Sequence, residues 1–274
     1  MIWKVIRVIV VSTFLTIITQ VGGLIYLASF CLHPLISRIT SSTFSRGLLK
    51  LSVFIILYSL CTLFVIPPLA KINGRVPLPV FSNQTVKPVS ILYPFLNRHY
   101  VRPPLKAAVL KTAAEMRANN PDTEVRYLDG CFPFVNGFPL FPHLSHNDGK
   151  KLDLAFFYTN SSGAPVNTKP SPIGYGACEE PKNNEQNMPL RCKQEGYIFY
   201  SMMKAIAGWS TDKNLLFDET RTRQLVILLA GTPAVKKIFI EPHLKTRLHL
   251  TTNKIRFHGC QAVRHDDHVH IQLP

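Results

Sequence analysis

The chain begins with two long apolar runs that contain no Asp, Glu, Lys or Arg. The first covers residues 8–31 and the second covers residues 51–70. With a helical rise of about 1.5 Å per residue, each run can cross a hydrocarbon core about 30 Å thick. This pattern predicts a two-span membrane hairpin within residues 1–75. The paired prolines at positions 67 and 68 are expected to end the second span near the interface.

The rest of the chain alternates between short apolar segments and polar loops. Residues 76–103 read as a connector rich in proline, and residues 104–274 as a soluble domain. The periodicity predicts helices over 104–119, 197–208, 218–229 and 242–248, and strands over 124–128, 152–158, 237–240, 255–257 and 269–273. Helices and strands follow one another without a regular βαβ repeat, which favours an α+β fold. The long polar loop 160–194 is either a wall of a cleft or a surface insertion.

The net charge of +15 is concentrated beside the membrane runs. Residues 1–114 contain 12 Lys and Arg and no acidic residue, and all 16 acidic residues lie at or after Glu115. Such placement is typical of a segment that sets membrane topology or meets anionic lipid. A nucleic-acid binder would carry its basic residues on the folded domain, and no nucleic-acid motif is present. In a two-span hairpin, the numbers of cationic residues on the two sides of the membrane are nearly equal. The charge pattern therefore does not determine the orientation.

The soluble part has an even number of cysteines, which permits two disulfides in an oxidising compartment. They are Cys131, Cys178, Cys192 and Cys260. A bridge between Cys178 and Cys192 would close the polar segment between them, and four buried thiols are the alternative. If bridges form, the domain faces the periplasm or the exterior.

Two histidine-rich blocks carry the candidate chemistry. In the first, PHLSHNDGKKLD over residues 142–153, His146 lies in a loop and Asp153 enters a strand. Gly149 between them permits a turn with positive φ, which can bring an imidazole and a carboxylate to one ion. Nitrogen and oxygen ligands of this kind suit Zn²⁺.

The second block is RHDDHVHIQL over residues 264–273. Residues two apart on a strand point to the same face, so His268 and His270 project together. One of them can bind the metal while the other stands beside the water. Three protein ligands leave a fourth position for water, which is the arrangement of a catalytic zinc site.

Together, His-x-x-His-x₆-Asp and the later His-x-x-His-x-His resemble the penicillin-insensitive murein endopeptidases. These belong to the wider superfamily of lysostaphin, D-Ala-D-Ala peptidases and hedgehog domains. The similarity runs from about residue 100 to residue 274 and includes IFIEPHLK at 238–245, which is similar to that family's Phe-x-x-Pro segment. It implies a hedgehog/D-Ala-D-Ala peptidase-like domain with a central antiparallel sheet. It also implies Zn²⁺ ligands His146, Asp153 and His270, catalytic roles for His268 and His265, and a supporting role for His143.

The implied activity is hydrolysis of amide bonds in peptidoglycan peptide cross-links by an enzyme of the inner membrane. Two departures from the family leave an alternative open. Lys151 stands where relatives often have an acidic residue, and a cation near the metal disfavours binding unless it points away. The membrane spans are also unlike the soluble family members. The alternative is a non-catalytic zinc-containing domain that binds a cell-wall peptide or a protein partner.

Overall fold

The computed structural model describes residues 2–274, with Ser210 described by its backbone alone. The α-helices are α1 Ile2–Thr19, α2 Gly22–Ser29, α3 His33–Ile39, α4 Thr43–Leu60, α5 Ile66–Ile72, α6 Leu92–Phe95, α7 Pro103–Asn119, α8 Met188–Gln194, α9 Met202–Ala207, α10 Glu219–Gly231 and α11 Pro242–Arg247. The strands are β1 Val76–Pro77, β2 Val86–Pro88, β3 Tyr100–Val101, β4 Val125–Tyr127, β5 Lys151–Ala155, β6 Tyr158–Thr159, β7 Pro165–Val166, β8 Leu216–Phe217, β9 Lys237–Phe239, β10 Ile255–Arg256 and β11 His268–Gln272.

The first predicted span, residues 8–31, is divided in the structure. Helix α1 ends at Thr19, Gln20 adopts a φ of +67°, and α2 begins at Gly22. The two helices pack so closely that a Cβ atom on Gly23 would lie 2.1 Å from Thr16 Oγ1. The run therefore folds back on itself as a tight helical hairpin, because a glycine at this contact leaves room for the other backbone.

Among residues 2–274, three helical segments are long and apolar enough to cross a membrane by length and composition: Ile2–Thr19, Gly22–Ile39 and Thr43–Ile72. The predicted membrane anchor is thus supported, while the predicted count of two spans is not reproduced. The difference arises because the predicted spans stopped at the nearest charge, whereas these helices continue over Lys4, Arg7 and Arg38 at their ends.

The last span also continues past the paired prolines that were expected to end it. A π-helical turn, Cys61–Val65, separates α4 from α5, and Pro67 and Pro68 lie in the first turn of α5. Prolines are tolerated there because the first turn of a helix does not need their missing N–H groups.

The soluble domain is built on a six-stranded sheet with the order β10-β9-β11-β5-β4-β2. The four central strands are antiparallel, while β10 pairs with β9 and β2 pairs with β4 in parallel. The predicted α+β class with a central antiparallel sheet is confirmed at this level, and the hedgehog-like assignment stays a prediction. Strand β2 comes from the segment predicted as a connector, so that segment contributes to the sheet.

Helix α7 packs with α10, and its apolar face enters the main core of the domain. The residues that line that face are all buried: Leu105, Ala108, Val109, Thr112, Ala113 and Met116. Burying a Leu, Val or Met side chain contributes about 1.5–3 kcal/mol, so this face holds the helix against the domain.

The domain lies directly against one end of the membrane helices. The backbone N–H of Phe134 donates to Gln20 Oε1 at 2.8 Å, in the turn between α1 and α2. Tyr58 of α4 donates its hydroxyl to the carbonyl of Phe95 at 2.6 Å and accepts from Asn97 Nδ2 at 3.0 Å. Buried hydrogen bonds at separate places fix the domain to the helices.

One disulfide joins Cys192 of α8 to Cys260, with the Cα atoms 5.3 Å apart. The suggested pairing of Cys178 with Cys192 is therefore wrong, because Cys192 is bonded to Cys260. Cys178 and the buried Cys131 remain thiols. This pairing forms because α8 places Cys192 next to the loop that contains Cys260. That loop directly precedes the second histidine block in the sequence.

Candidate metal centre

Asp153 and His270 meet because of the register between two central strands. In the antiparallel pair of β5 and β11, His270 lies opposite Asp153 and His268 lies opposite Ala155. Side chains of opposed residues point to the same face of a sheet. His270 Nδ1 accordingly lies 2.9 Å from Asp153 Oδ1, and both side chains are buried.

His146 reaches the same point from the loop that precedes β5. Gly149, with a φ of +76°, turns this loop into the strand. His146 Nε2 lies 3.1 Å from His270 Nδ1 and 3.3 Å from Asp153 Oδ1. Its other nitrogen, Nδ1, lies 2.9 Å from the carbonyl oxygen of Gly130. Because a carbonyl only accepts, Nδ1 carries the proton and Nε2 is left with its lone pair directed at the other two side chains.

The three atoms have the spacing that a small cation requires. A tetrahedral ion with bonds of about 2.0–2.1 Å places its ligand atoms roughly 3.3 Å apart. The observed separations of 2.9, 3.1 and 3.3 Å are close to that value. Within residues 2–274, His146, Asp153 and His270 form a buried group able to hold a metal ion, and they are the three residues predicted as ligands.

A second layer of side chains holds the carboxylate in place. Tyr175 donates its hydroxyl to Asp153 Oδ2 at 2.7 Å, so Oδ1 is the oxygen directed at the histidines.

A second carboxylate, that of Asp129, binds His143 and Arg98. His143 Nδ1 lies 2.8 Å from Asp129 Oδ2, and the Arg98 guanidinium donates to both Asp129 oxygens at 2.7 Å. Burial alone would raise the pKa of Asp129, but Arg98 and His143 outweigh it and lower the pKa to about 2. His143 therefore lies beside the ligand group in contact with Asp129, and its supporting role stays a prediction.

The sequence did not point to Asp129 or Arg98, and it left Tyr175 as either a cleft residue or, by default, part of a turn. The segment Pro-Ile-Gly-Tyr-Gly held a usable signal, because Gly174 and Gly176 have φ values of +78° and +87° around the tyrosine. Backbone of that kind projects one side chain inward. The two charged residues had no signal of comparable strength.

His268 lies beside the ligand group with one nitrogen fixed and the other unpaired. Its Nδ1 lies 2.5 Å from Asp267 Oδ1, and Asp267 Oδ2 accepts the backbone N–H of Gly176 at 2.6 Å. Its Nε2 has no hydrogen-bond partner and lies 3.6 Å from Asp153 Oδ1. Burial lowers the pKa of His268, but the charges of Asp153 and Asp267 raise it to about 9. From the sequence, Asp267 could either cap a turn or orient a histidine of the site, and the structure places its carboxylate against His268 Nδ1.

His265 completes the histidine cluster next to His268. The two ring centroids are 4.9 Å apart, and His265 Nδ1 is buried without a partner. Burial, followed by the neighbouring His268 and His270, holds the pKa of His265 well below its usual value. Its backbone N–H donates to the carboxylate of Glu241, a buried residue directly before α11.

The remaining candidates have plainer surroundings. The Lys151 ammonium lies 2.9 Å from Asp148 Oδ2, which offsets its charge. His243 is buried and donates to the Glu179 carbonyl, and His249 is exposed, as expected of packing and surface residues. His258 stacks on Phe239 with centroids 4.1 Å apart and lines the cleft, which sequence reasoning did not predict.

A cleft of about 560 Å³ opens onto the metal-binding group. Its outer part is apolar, with Phe141, Leu144 and Phe199 all more than half exposed. Among the described residues that line it there is no Lys or Arg. The cleft is large enough for a short peptide segment around one bond.

Comparison with protein-family models and with curated proteins gave no match for this chain. The resemblance to the murein endopeptidases therefore depends on the two histidine blocks and the segment between them.

Proposed function

We propose that the protein is a membrane-anchored zinc metallopeptidase that hydrolyses amide bonds in peptidoglycan peptide cross-links. Its main support is the convergence of His146 Nε2, Asp153 Oδ1 and His270 Nδ1 within 3.3 Å of one another, next to the unpaired Nε2 of His268. Two imidazoles and one carboxylate are a ligand set of catalytic zinc, which leaves a position open for water or substrate.

His146, Asp153 and His270 would hold the ion, and zinc bound there supplies a Lewis acid that polarises a carbonyl and makes a water more acidic. His268 Nε2 is the group positioned to accept a proton from the attacking water and to return it to the leaving amine. Asp267 keeps His268 Nδ1 engaged and stabilises the imidazolium that forms. Once Asp153 ligates a divalent cation, its negative charge no longer raises the pKa of His268 to the same extent, which favours the neutral base.

The test uses full-length protein in detergent with purified cross-linked muropeptides. We expect amide cleavage that depends on zinc, stops on addition of a chelator and is absent in His270→Ala. The matched control is His249→Asn, which changes an exposed histidine away from the cleft. Undiminished cleavage by His270→Ala would falsify the proposed mechanism.

A second candidate is a zinc-containing domain that binds a cell-wall peptide or a protein partner without turnover. The apolar rim of the cleft, with Phe141, Leu144 and Phe199 exposed, favours this alternative because such side chains are typical of binding surfaces. Saturable binding of the muropeptide with no product after long incubation would favour the binding role over the enzyme.

We also propose an inner-membrane location with the domain in the periplasm. Three spans place the amino terminus and the domain on opposite sides, and the end of the helices away from the domain carries most of the nearby cations: Lys4, Arg7, Arg38, Arg46 and Lys50. The other end carries Lys71 and Arg75 before the domain begins at β1, and the turn between α1 and α2 has no charge. This asymmetry favours a cytoplasmic amino terminus, and the disulfide favours an oxidising compartment for the domain.

Reporter fusions after Pro274 test this orientation. Alkaline phosphatase, which folds only outside the cytoplasm, should be active there, and a fluorescent protein that folds in the cytoplasm should be dark. The reverse pair of results would contradict the proposed orientation while leaving the metal-site proposal intact.

A further inference from the structure

A cavity of about 900 Å³ lies between α1, α2 and α4. It is formed by the first turns of α1, the last part of α2 with the single turn that follows it, and the first turns of α4. The α1–α2 turn at the opposite end of the helices contacts the soluble domain through Gln20. The cavity therefore belongs to the membrane face far from the domain and is separate from the candidate metal centre.

Three cationic side chains, Lys4, Arg7 and Lys50, line this cavity. Within residues 2–274, none of the three has an ion pair or a side-chain hydrogen bond. The helical segment cannot supply a partner, because residues 1–114 contain no Asp or Glu. Like charges gathered around one space repel one another, and an anion placed among them relieves that repulsion.

Apart from Ser29, His33 and Gly47, the rest of the lining is aromatic and aliphatic. Tyr26 contacts Phe30 with centroids 4.9 Å apart and Phe54 with centroids 5.8 Å apart, and Trp3 is 83% exposed at the mouth. Trp3 lies in the first turn of α1, and Trp is typical of the membrane interface, where lipid headgroups meet acyl chains. A ligand that matches both parts of the cavity carries a negative charge on one end and hydrocarbon on the other.

We propose that this cavity binds one anionic phospholipid from the leaflet on that side of the membrane. The phosphodiester would face Lys4, Arg7 and Lys50, and the acyl chain would lie along the apolar residues of α1 and α4. Basic pockets between membrane helices are known to take anionic headgroups in this way. A zwitterionic headgroup fits less well, since the described lining residues include no carboxylate for its cation.

The test uses the full-length protein in lipid discs that contain phosphatidylcholine alone or with phosphatidylglycerol, and native mass spectrometry counts the retained lipid. We expect retention of one phosphatidylglycerol. The double variant Arg7→Gln/Lys50→Gln should weaken retention by on the order of tenfold to thirtyfold, at roughly one fivefold step per cation. The matched control Arg38→Gln/Lys71→Gln makes the same chemical changes outside the cavity and should change retention less than about twofold.

Three results would overturn the proposal. The first is equal retention of phosphatidylcholine and phosphatidylglycerol, and the second is an equal loss of lipid retention in the two double variants. The third is displacement of the lipid by glycerol phosphate, which would identify a site for a soluble anion. The variant Lys50→Arg changes the same side chain but keeps its charge, and it should retain the lipid as the wild type does. This comparison separates loss of the charge from loss of folding. Metal content measured on the same samples is expected to stay unchanged, so failure here is distinguishable from failure of the hydrolase proposal.

Discussion

His146 Nε2 lies 3.1 Å from His270 Nδ1, although the two residues are 124 positions apart in the chain. The first comes from a loop and the second from the last strand, and Asp153 lies within 3.3 Å of both. Two imidazoles and a carboxylate brought this close, all buried, form a site with the geometry of a metal centre.

The first prediction concerns metal content. Full-length protein should bind one zinc per chain, and Asp153→Ala should lose it because two neutral imidazoles alone hold a dication weakly. Metal analysis by mass spectrometry after dialysis gives the measurement. Asp212→Ala, which removes a carboxylate outside this group, serves as the control. Full zinc occupancy in Asp153→Ala would show that the ion is held elsewhere.

Replacement of His268 should separate catalysis from metal binding. His268→Gln is expected to keep zinc, since its Nε2 stands 3.6 Å from Asp153 Oδ1 and outside the group of three ligands. Turnover should fall by about 10²–10⁴, the usual contribution of a positioned acid–base group. Loss of zinc along with activity would instead make His268 a ligand.

Tyr175 should tune metal affinity without touching the metal. Tyr175→Phe removes the 2.7 Å hydrogen bond to Asp153 Oδ2 and lets the carboxylate rotate. Loss of such an outer partner costs about 10–100-fold in affinity, which competition with a fluorescent zinc chelator can measure. Tyr197→Phe removes a hydroxyl from a more exposed tyrosine and should leave affinity unchanged.

A pH-dependent stability is expected from Glu241. Burial, with Asp266 nearby, raises the pKa of Glu241 to about 7 from an ordinary value of 4.5. The folded protein thus keeps a proton that the unfolded chain releases between these pH values, and the free energy of unfolding decreases as the pH rises through that window. The difference between the two pKa values corresponds to about 3 kcal/mol.

Glu241→Gln removes this titration while retaining groups that can bond to Tyr200 and to the His265 N–H. The variant should match the wild type near pH 4 and exceed its stability by up to about 3 kcal/mol at pH 8. Denaturant unfolding in detergent at several pH values measures the difference. Parallel curves for the two proteins would mean that Glu241 does not hold its proton in the folded state.

The disulfide should contribute to stability of the cleft wall. Cys192→Ser/Cys260→Ser opens a loop of 68 residues, and loss of such a bridge costs about 2–5 kcal/mol. Thermal unfolding with and without reductant gives the comparison. Cys178→Ser, which changes a free thiol, should unfold like the wild type, and a reductant effect that persists in the double variant would point to another bridge.

Much of the candidate site could be predicted from sequence because each block is a short continuous stretch that leads from a loop into one strand. The spacing of His268 and His270 on a strand, and of His146 and Asp153 around Gly149, limits where the side chains can point. Asp129 and Arg98 could not be identified in the same way, since their roles depend on contacts between segments far apart in the chain. The reversal at Gln20 was missed for a related reason. Apolar runs predict burial in lipid, whereas the close approach allowed by Gly22 and Gly23 depends on packing between two helices.

The docking of the domain onto the helices has a consequence for reach. Hydrogen bonds from Phe134 to Gln20 and from Tyr58 to Phe95 fix the domain to the membrane helices. Phe134 belongs to the same loop that leads to His143 and His146. A flexible linker would let the cleft occupy many positions relative to the membrane, whereas these contacts keep it at one distance from the membrane helices. The proposed peptidase, held in this way, would act only on material that passes within a domain's thickness of the membrane.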